Sequence, residues 1–283
     1  MSLNSINTNQ AAYVALQSLN STNSALQATQ KAISTGYRVS DATDDGGAFA
    51  IAERVRSDVG ALTTVNQQLG NAKGFVGTAV QSLTDISSQL KVVRSTLNDL
   101  GSNLLQGQDR KDKITTLQNT LTQIKSSIQD SSYNGKTLIG SLTGSVGKFG
   151  GATLIRNEAG STYGIATFGG GALFGSLTFT GTQLNSATLS GALATAGGVV
   201  LNKTNDVANA LNNYGAASNF IDHQTTFNSN KIDALNSGLG SLIDADLTKE
   251  AARLQSLQIK QQLGTQALSL ANQAPSSLIS LFK

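Results

Sequence analysis

The sequence predicts a mainly α fold with a small β insertion: an elongated antiparallel hairpin of coiled-coil or helical-bundle type, formed by both chain ends, with a short β-rich region between them. Three observations carry this prediction. Proline, the strongest local breaker of helices, occurs once, as Pro275, so long helices are permitted almost everywhere. Apolar residues recur with a sustained seven-residue period, the signature of helices that pair along a seam. Finally, 15 of the 29 glycines fall between Gly140 and Gly198, which sets that stretch apart from its helical flanks.

Composition narrows the function classes. The chain is long enough for a sizeable core, as one large domain or two, yet aromatics supply only 5% and charged residues 13% of its 283 residues, with no tryptophan. Such a chain relies on many Leu, Ile, Val and Ala contacts spread along its length, which suits long helices. The net charge is +3 and the 20 Lys and Arg are scattered, so no basic patch awaits a phosphate backbone and nucleic-acid binding is not expected. The absence of cysteine removes disulfides, thiolate catalysis and sulfur-ligated metals together. The opening MSLNSINTNQ has neither the basic start nor the apolar run of a secretory signal. No window approaches the ~18 apolar residues of a membrane span, so membrane insertion is not expected, and export would use a route other than a cleaved signal.

Each element follows from its spacing. Near the start, Leu19, Leu26 and Ile33 keep the seven-residue interval, with Ala12 and Leu16 beside them. The stretch DATDDGGAFAIAE, from Asp41 to Glu53, then leads into the clearest helix. There Leu62, Leu69, Val76, Leu83, Leu90, Leu97 and Leu104 alternate with Val65, Ala72, Ala79, Ile86, Val93 and Leu100, and Ala48 and Val55 extend the register backwards. One helix over about residues 46–104 would be roughly 85 Å long at 1.5 Å per residue. Asp44 and Asp45 place capping oxygens and negative charge at its N-terminus, where free N–H groups and the dipole favour them. Gly46 and Gly47 supply backbone freedom to turn into it.

After LLQGQDRKD, the residues Ile114, Leu117, Leu121, Ile124 and Ile128 form a second heptad segment, consistent with folding back antiparallel, and Asn134-Gly135 closes it with a turn signal. In the glycine-rich stretch, the period-2 runs TYGIATF and GSLTFTGTQL read as short strands. Helical spacing resumes with Val207, Leu211, Tyr214 and Ile221 and continues through Ile232, Leu235, Leu239 and Leu242. The last segment carries Leu247, Leu254 and Leu268, skipping Gln261, with Leu257, Ala271 and Leu278, while Leu263, Leu270 and Leu281 make a second stripe. An isolated helix is marginal in water until its apolar face is buried. Both ends therefore need partners, and a second stripe implies contacts beyond one neighbour.

Other chemistry finds little support. Aligned as a calcium loop on Asp41, Thr43, Asp45 and Gly46, the acidic stretch places Ala52 at the twelfth position, one short of Glu53, and so lacks the bidentate ligand. His223 is the single histidine and stands beside Asp222 on an expected helix; with no cysteine or second histidine it makes a poor metal site, and adjacency alone is no catalytic triad. In FGGGALFG, Gly169 and Gly171 open a dinucleotide-type pattern, but Phe174 stands where its third glycine belongs, and a flexible turn is the better reading. The sequon at Asn20 to Thr22 lies in an expected helix. No cofactor and no enzymatic activity are expected.

Two stretches, SLNSINTNQAAYVALQSLNSTNSALQATQKAISTGYRVSDATDDGGAFAIAERVRSDV near the start and DADLTKEAARLQSLQIKQQLGTQALSLANQAPSSLISLFK at the end, resemble those of bacterial flagellins. The resemblance spans nearly the whole chain outside the glycine-rich insertion. The short insertion and the Leu-Phe-Lys ending look most like alphaproteobacterial flagellins. The resemblance implies an inner coiled-coil layer of residues 1–40 with 246–283, an outer helical layer of 41–140 with 199–245, and a surface-exposed variable region of 141–198. On the matching positions it assigns self-assembly to Leu3, Ile6, Leu16, Leu19, Leu26, Ile33, Leu247, Leu254, Leu257, Leu263, Leu268, Leu270, Leu278, Leu281 and Phe282. The connector between layers, within Ser34 to Arg54, takes Asp41, Asp44, Asp45, Gly46, Gly47 and Arg54.

The same resemblance implies a subunit of the hollow, extracellular filament of the bacterial flagellum, exported unfolded through the flagellar type III apparatus. Its implied partners are other flagellin subunits, an export chaperone that masks the C-terminal segment, and the junction and cap proteins. The runner-up is a hook–filament junction protein, which shares such termini but occurs in few copies and builds no long filament; an independent coiled-coil adaptor would not need both terminal motifs. One family feature fits badly. Many flagellins carry an arginine-rich helical patch that an animal innate-immune receptor recognises; here, in LKVVRSTLNDL, Val92 replaces its first arginine, and Ser95 and Thr96 stand for a glutamate and a leucine. Purified monomer is therefore expected to activate a receptor-reporter cell weakly or not at all, and a full-strength response would contradict this.

Overall fold

The computed structural model describes residues 8–140, 142–195 and 198–280, with side chains as far as 273. Helices dominate, in the order α1 (Gln10–Thr35), α2 (Gly46–Leu100), α3 (Gly107–Gln129), then strands β1 (Lys136–Thr137), β2 (Lys148–Phe149), β3 (Ala152–Ile155) and β4 (Thr162–Ile165), then α4 (Gly170–Ser176), α5 (Gly181–Asn185), α6 (Ala187–Ala194), α7 (Val199–Ile243) and α8 (Leu247–Ser280). The chain forms two compact units, Met1–Asp58 with Asp233–Lys283, and Val59–Ile232.

The core of the Val59–Ile232 unit is the heptad of α2. Leu69, Val76, Leu83, Leu90 and Leu97 are wholly buried there, as are Ile86, Val93 and Leu100. Leu117, Ile124 and Ile128 of α3 and Val207, Tyr214 and Ile221 of α7 pack on them, each buried aliphatic side chain contributing about 1.5–3 kcal/mol relative to exposure. Both neighbours run antiparallel to α2: on α3 Lys113 meets Asp99 at 2.7 Å and Ser127 meets Gln89, and on α7 Asp222 meets Lys73 at 2.6 Å and Ser229 meets Asn66.

The expected heptad over-runs the helix by four residues. The helix α2 ends at Leu100, and Leu104 is 93% exposed in the following loop. Two contacts stop it there. A Cβ at Gly101 would lie 3.1 Å from the Cα of Gly191, so the missing side chain lets α6 approach closely. The buried guanidinium of Arg110 then donates Nη1 to the Leu100 carbonyl at 2.9 Å and Nη2 to the Leu184 carbonyl at 2.6 Å, satisfying a helix C-terminus that would otherwise be orphaned. Replacing Arg110 with Ala leaves both carbonyls without this donor in a buried site. We expect the urea midpoint of this unit to fall by an amount equivalent to about 3 kcal/mol.

The glycine-rich stretch holds less strand than its sequence suggested. The strands β1 and β2 pair in parallel over two residues, and β3 and β4 form an antiparallel hairpin with Ala152 opposite Ile165. That hairpin is held on α7 by Tyr163 stacked on Phe220 at 4.0 Å, by the Lys231–Glu158 ion pair, and by Asn228 donating to the Arg156 carbonyl at 3.1 Å. GSLTFTGTQL, read as strand, instead holds the end of α4, a short connection and the start of α5. A capping box between Thr180 and Gln183 opens α5, and this local pairing outweighs the alternating pattern. Likewise FGGGALFG is not a turn: Gly170–Ser176 is helical, and Gly170 is buried where a Cβ would come within 2.8 Å of Ile128.

In the other unit, α1 and α8 lie side by side. Asn9 caps α1 by accepting from the Ala12 N–H at 3.1 Å, and Gly36 ends it in the left-handed region at φ 75°. Asp246 caps α8, its Oδ1 accepting from Thr248 and Lys249. A small cluster of Val39, Ala48, Ala52 and Ile243, with Phe49, Leu239 and Leu242 around it, holds the loop after α1 against the start of α2 and the end of α7.

Candidate assembly site

The pairing of α1 with α8 uses one stripe of each helix. In α1 the partly or fully buried positions include Ala12, Ala15, Leu19, Thr22, Leu26, Thr29 and Ile33; in α8 they are Glu250, Leu254, Leu257, Gln261, Gly264, Leu268 and Ala271. Both follow the alternating three-and-four spacing of a two-helix seam. The direction is antiparallel, since Asn9 donates to the Ala271 carbonyl at 2.7 Å while Gln261 donates to Asn23 at 2.8 Å.

Much apolar surface remains outside this seam. Tyr13 and Val14 are 66% and 61% exposed, Leu16 is 43% exposed, and on α8 Leu247, Ile259, Leu263 and Leu270 are 52–70% exposed. An unpartnered set of this size on one helix pair marks an interaction surface. Of the expected assembly residues, Leu19, Leu26, Ile33, Leu254, Leu257 and Leu268 therefore lie in the intramolecular seam, and Leu16, Leu247, Leu263 and Leu270 outside it. Leu3, Ile6, Leu281 and Phe282, and the side chain of Leu278, lie outside the described residues.

The connector is organised by a residue that spacing did not reveal. Lys31, at the end of α1, places its ammonium 2.5 Å from Asp41 and 2.9 Å from both carboxylate oxygens of Asp44. Asp44 also accepts from the Ser40 N–H and hydroxyl and from the Asp41 N–H, while Asp41 accepts from the Thr43 N–H. The positive charge that the acidic stretch gathers is thus the chain's own lysine. Hydrogen bonds from Lys31 first, and from Thr43 next, hold the Asp41 carboxyl down to about 2. Lys31 and the Ser40 N–H hold Asp44 well below the usual carboxylate range, and the two carboxylates raise Lys31 above its ordinary value. The signal was present: Lys31 is the one charged residue between Gln10 and Thr35.

Only one of the two expected caps serves α2. Asp45 Oδ1 accepts from the N–H groups of Gly47 and Ala48, each at 3.0 Å; Asp44 turns the other way, into the Lys31 cluster. Gly46 and Gly47 sit in ordinary helical backbone, and the left-handed turn is made earlier, at Gly36. Arg54 is exposed, and it is Arg56 that reaches the connector, its guanidinium 5.8 Å from the centre of the Tyr37 ring. Around that ring the Arg38 guanidinium donates to the Leu242 carbonyl, and Tyr37 bridges Asp244. In the stretch compared with the immune-recognised patch, Val92 is 47% exposed and Arg94 donates Nε to the Ala194 carbonyl. Among the described residues no group of three or more His, Cys, Asp or Glu is placed to hold a metal, and no helix is long and apolar enough to cross a membrane.

Comparison with known proteins agrees with this geometry. Residues 6–142 match the bacterial flagellin N-terminal helical region, and residues 198–282 match the bacterial flagellin C-terminal helical region. The chain is 34% identical to flagellin FljM of Caulobacter vibrioides over the full length of both. It is 33% identical to a flagellin of Brucella melitensis, with 99% of each chain covered, and 30% identical to flagellin C of Rhizobium meliloti over 99% of this chain and all of that one. Matched in both helical regions and similar to these relatives from end to end, the chain belongs to the bacterial flagellin family.

Proposed function

We propose that this chain is a structural subunit that polymerises with other flagellin subunits into the extracellular filament of the bacterial flagellum, for swimming motility. The observation that carries the reading is the apolar surface left on α1 and α8 after they have paired, which in water is stabilised only by further subunits. Residues 1–40 and 246–283 form the inner layer, residues 41–140 and 199–245 the outer layer, and residues 141–198 the exposed region. Export through the flagellar type III apparatus, with a chaperone covering the C-terminal segment, keeps that surface from aggregating before assembly, and junction and cap proteins contact the filament ends. Electron microscopy of monomer added to filament seeds tests this directly: long filaments are expected, and a chain that binds a junction but never elongates would defeat it.

The connector gives a second test. A Cβ at Gly47 would meet Asp45 Oδ1 at 3.5 Å, an ordinary contact, so Gly47→Ala leaves the free subunit intact and stabilises it by up to about 0.5–1 kcal/mol through helix propensity. Filament elongation is nonetheless expected to fall, because the exposed start of α2 faces a neighbouring subunit in the proposed layers. Unchanged elongation would remove Gly47 from the interface.

A further inference from the structure

A heptad seam does not by itself fix its register. Sliding α8 along α1 by seven residues, about 10 Å at 1.5 Å per residue, sets seam position on seam position again, and the exposed stripes of the two helices then meet in a different alignment. Something other than the period must select the alignment, and polar residues within a seam are the usual device. The backbone bond from the Ala245 N–H to the Gly36 carbonyl ties the end of α1 to the start of α8, and Asn9 holds the far end through the Ala271 carbonyl; along the seam between them, two contacts depend on register. Gln261, which interrupts the leucine repeat of α8, donates Nε2 to Asn23 Oδ1 at 2.8 Å in a partly buried position. One helical turn on, Gly264 faces Leu19: a Cβ there would stand 3.2 Å from Leu19 Cδ1 and 3.9 Å from its Cβ, so the leucine fills the space that the missing side chain leaves.

Both contacts fail on sliding. Counting seven residues either way from Gln261 brings Leu254 or Leu268 to Asn23, and the amide loses its partner against a leucine, the costly outcome for a partly buried polar group. Leu19 meets Leu257 or Ala271 instead of Gly264, so the fit is lost as well.

We propose that the Asn23–Gln261 amide pair is a register pin which, with the Leu19–Gly264 fit beside it, selects one alignment of α1 on α8 and so lines up their exposed stripes as a single assembly face. The inference rests on the filament reading for its consequence, but not for its test. Because the chain has no cysteine, Ser18→Cys with Gln255→Cys supplies two exposed sites for spin labels, whose separation reports register by pulsed electron resonance. The labelled chain is expected to give a single distance, in dilute monomer and in seeded filaments. Adding Asn23→Leu and Gln261→Leu makes the seam wholly apolar and is expected to add a second distance displaced by about 10 Å and to slow elongation several-fold. The exchange Asn23→Gln with Gln261→Asn keeps an amide pair of the same combined length and should restore both the single distance and elongation, a rescue that packing alone would not give. A single unshifted distance in the leucine variant, or two distances in the parent, overturns the pin. A labelled parent that fails to extend seeds counts against the filament reading only, since its monomer distances still decide the register.

Discussion

A chain that stops at Ala245 will form no filaments on any seed, yet will keep the helices of the Val59–Ile232 unit. The reason is how the cores are divided. The large cluster that holds α2, α3 and α7 together runs from Val65 to Ile221 and, among the described residues, includes none from 246 onward, so its cooperative urea transition should survive the deletion with an unchanged midpoint. By contrast, the 26 residues of α1 lose the seam they form with α8 when its 34 residues are removed, and helical stability in water comes mainly from packing an apolar face. Leu19, Leu26 and Ile33 then have no seam, and the Leu263 and Leu270 side of the assembly face is gone. Circular dichroism should lose the contribution of both terminal helices and no more, while electron microscopy and sedimentation show monomer. Normal filaments from the truncated chain would overturn the division of labour between the ends and the middle.

How far the sequence discloses this architecture depends on how local the deciding force is. The heptad of α2 was legible residue by residue because one physical quantity, burial of every third and fourth side chain, sets all of it: Leu62, Leu83 and Leu97 are wholly buried as the spacing required. Its end was not, because Leu104 satisfies the same period, and the helix end is set by contacts that the period does not encode: Gly191, far along the chain, and Arg110, in the first turn of the next helix. In the glycine-rich stretch, local capping outweighs alternation. Thr180-Gly-Thr-Gln183 is a helix-start signal in plain sight, and a reciprocal cap of this kind acts within one turn, whereas an alternating pattern needs a partner strand, and none pairs with this stretch among the described residues. The acidic stretch was legible as a connector whose aspartates cap α2, which holds for Asp45, whereas Asp44 is turned to the lone lysine of α1. Spacing could not join them, since Lys31 meets Asp41 and Asp44 only after Gly36 has turned the chain in the left-handed region.

Removing that lysine should have the second-largest effect on assembly, with a pH signature of its own. Asp41 and Asp44 have depressed carboxyls, so their contribution to the connector is complete above the unfolded value near pH 4 and is lost as acid titrates them in the folded state, through about pH 2 for Asp41 and lower for Asp44. Lys31 is raised, so its contribution is complete below its ordinary value near 10.5 and fades only above it. The connector of the wild-type chain is therefore expected to hold a plateau from about pH 4 to about pH 10, followed by protease cleavage between Gly36 and Gly46 and by the critical concentration for elongation. In Lys31→Gln the two carboxylates face each other without their counter-charge, and each raises the other. The acid limb should then shrink, because both carboxyls lose the largest contact that holds them down, the alkaline limb should flatten, and the critical concentration at neutral pH should rise several-fold; Lys31→Glu, adding a third carboxylate, should assemble worse still. Because these side chains are largely solvated, added salt is expected to narrow the difference between wild type and variant. If instead Lys31→Gln elongates normally with the wild-type pH profile, the connector is held by the Val39, Ala52 and Ile243 cluster alone, and the lysine is incidental to assembly.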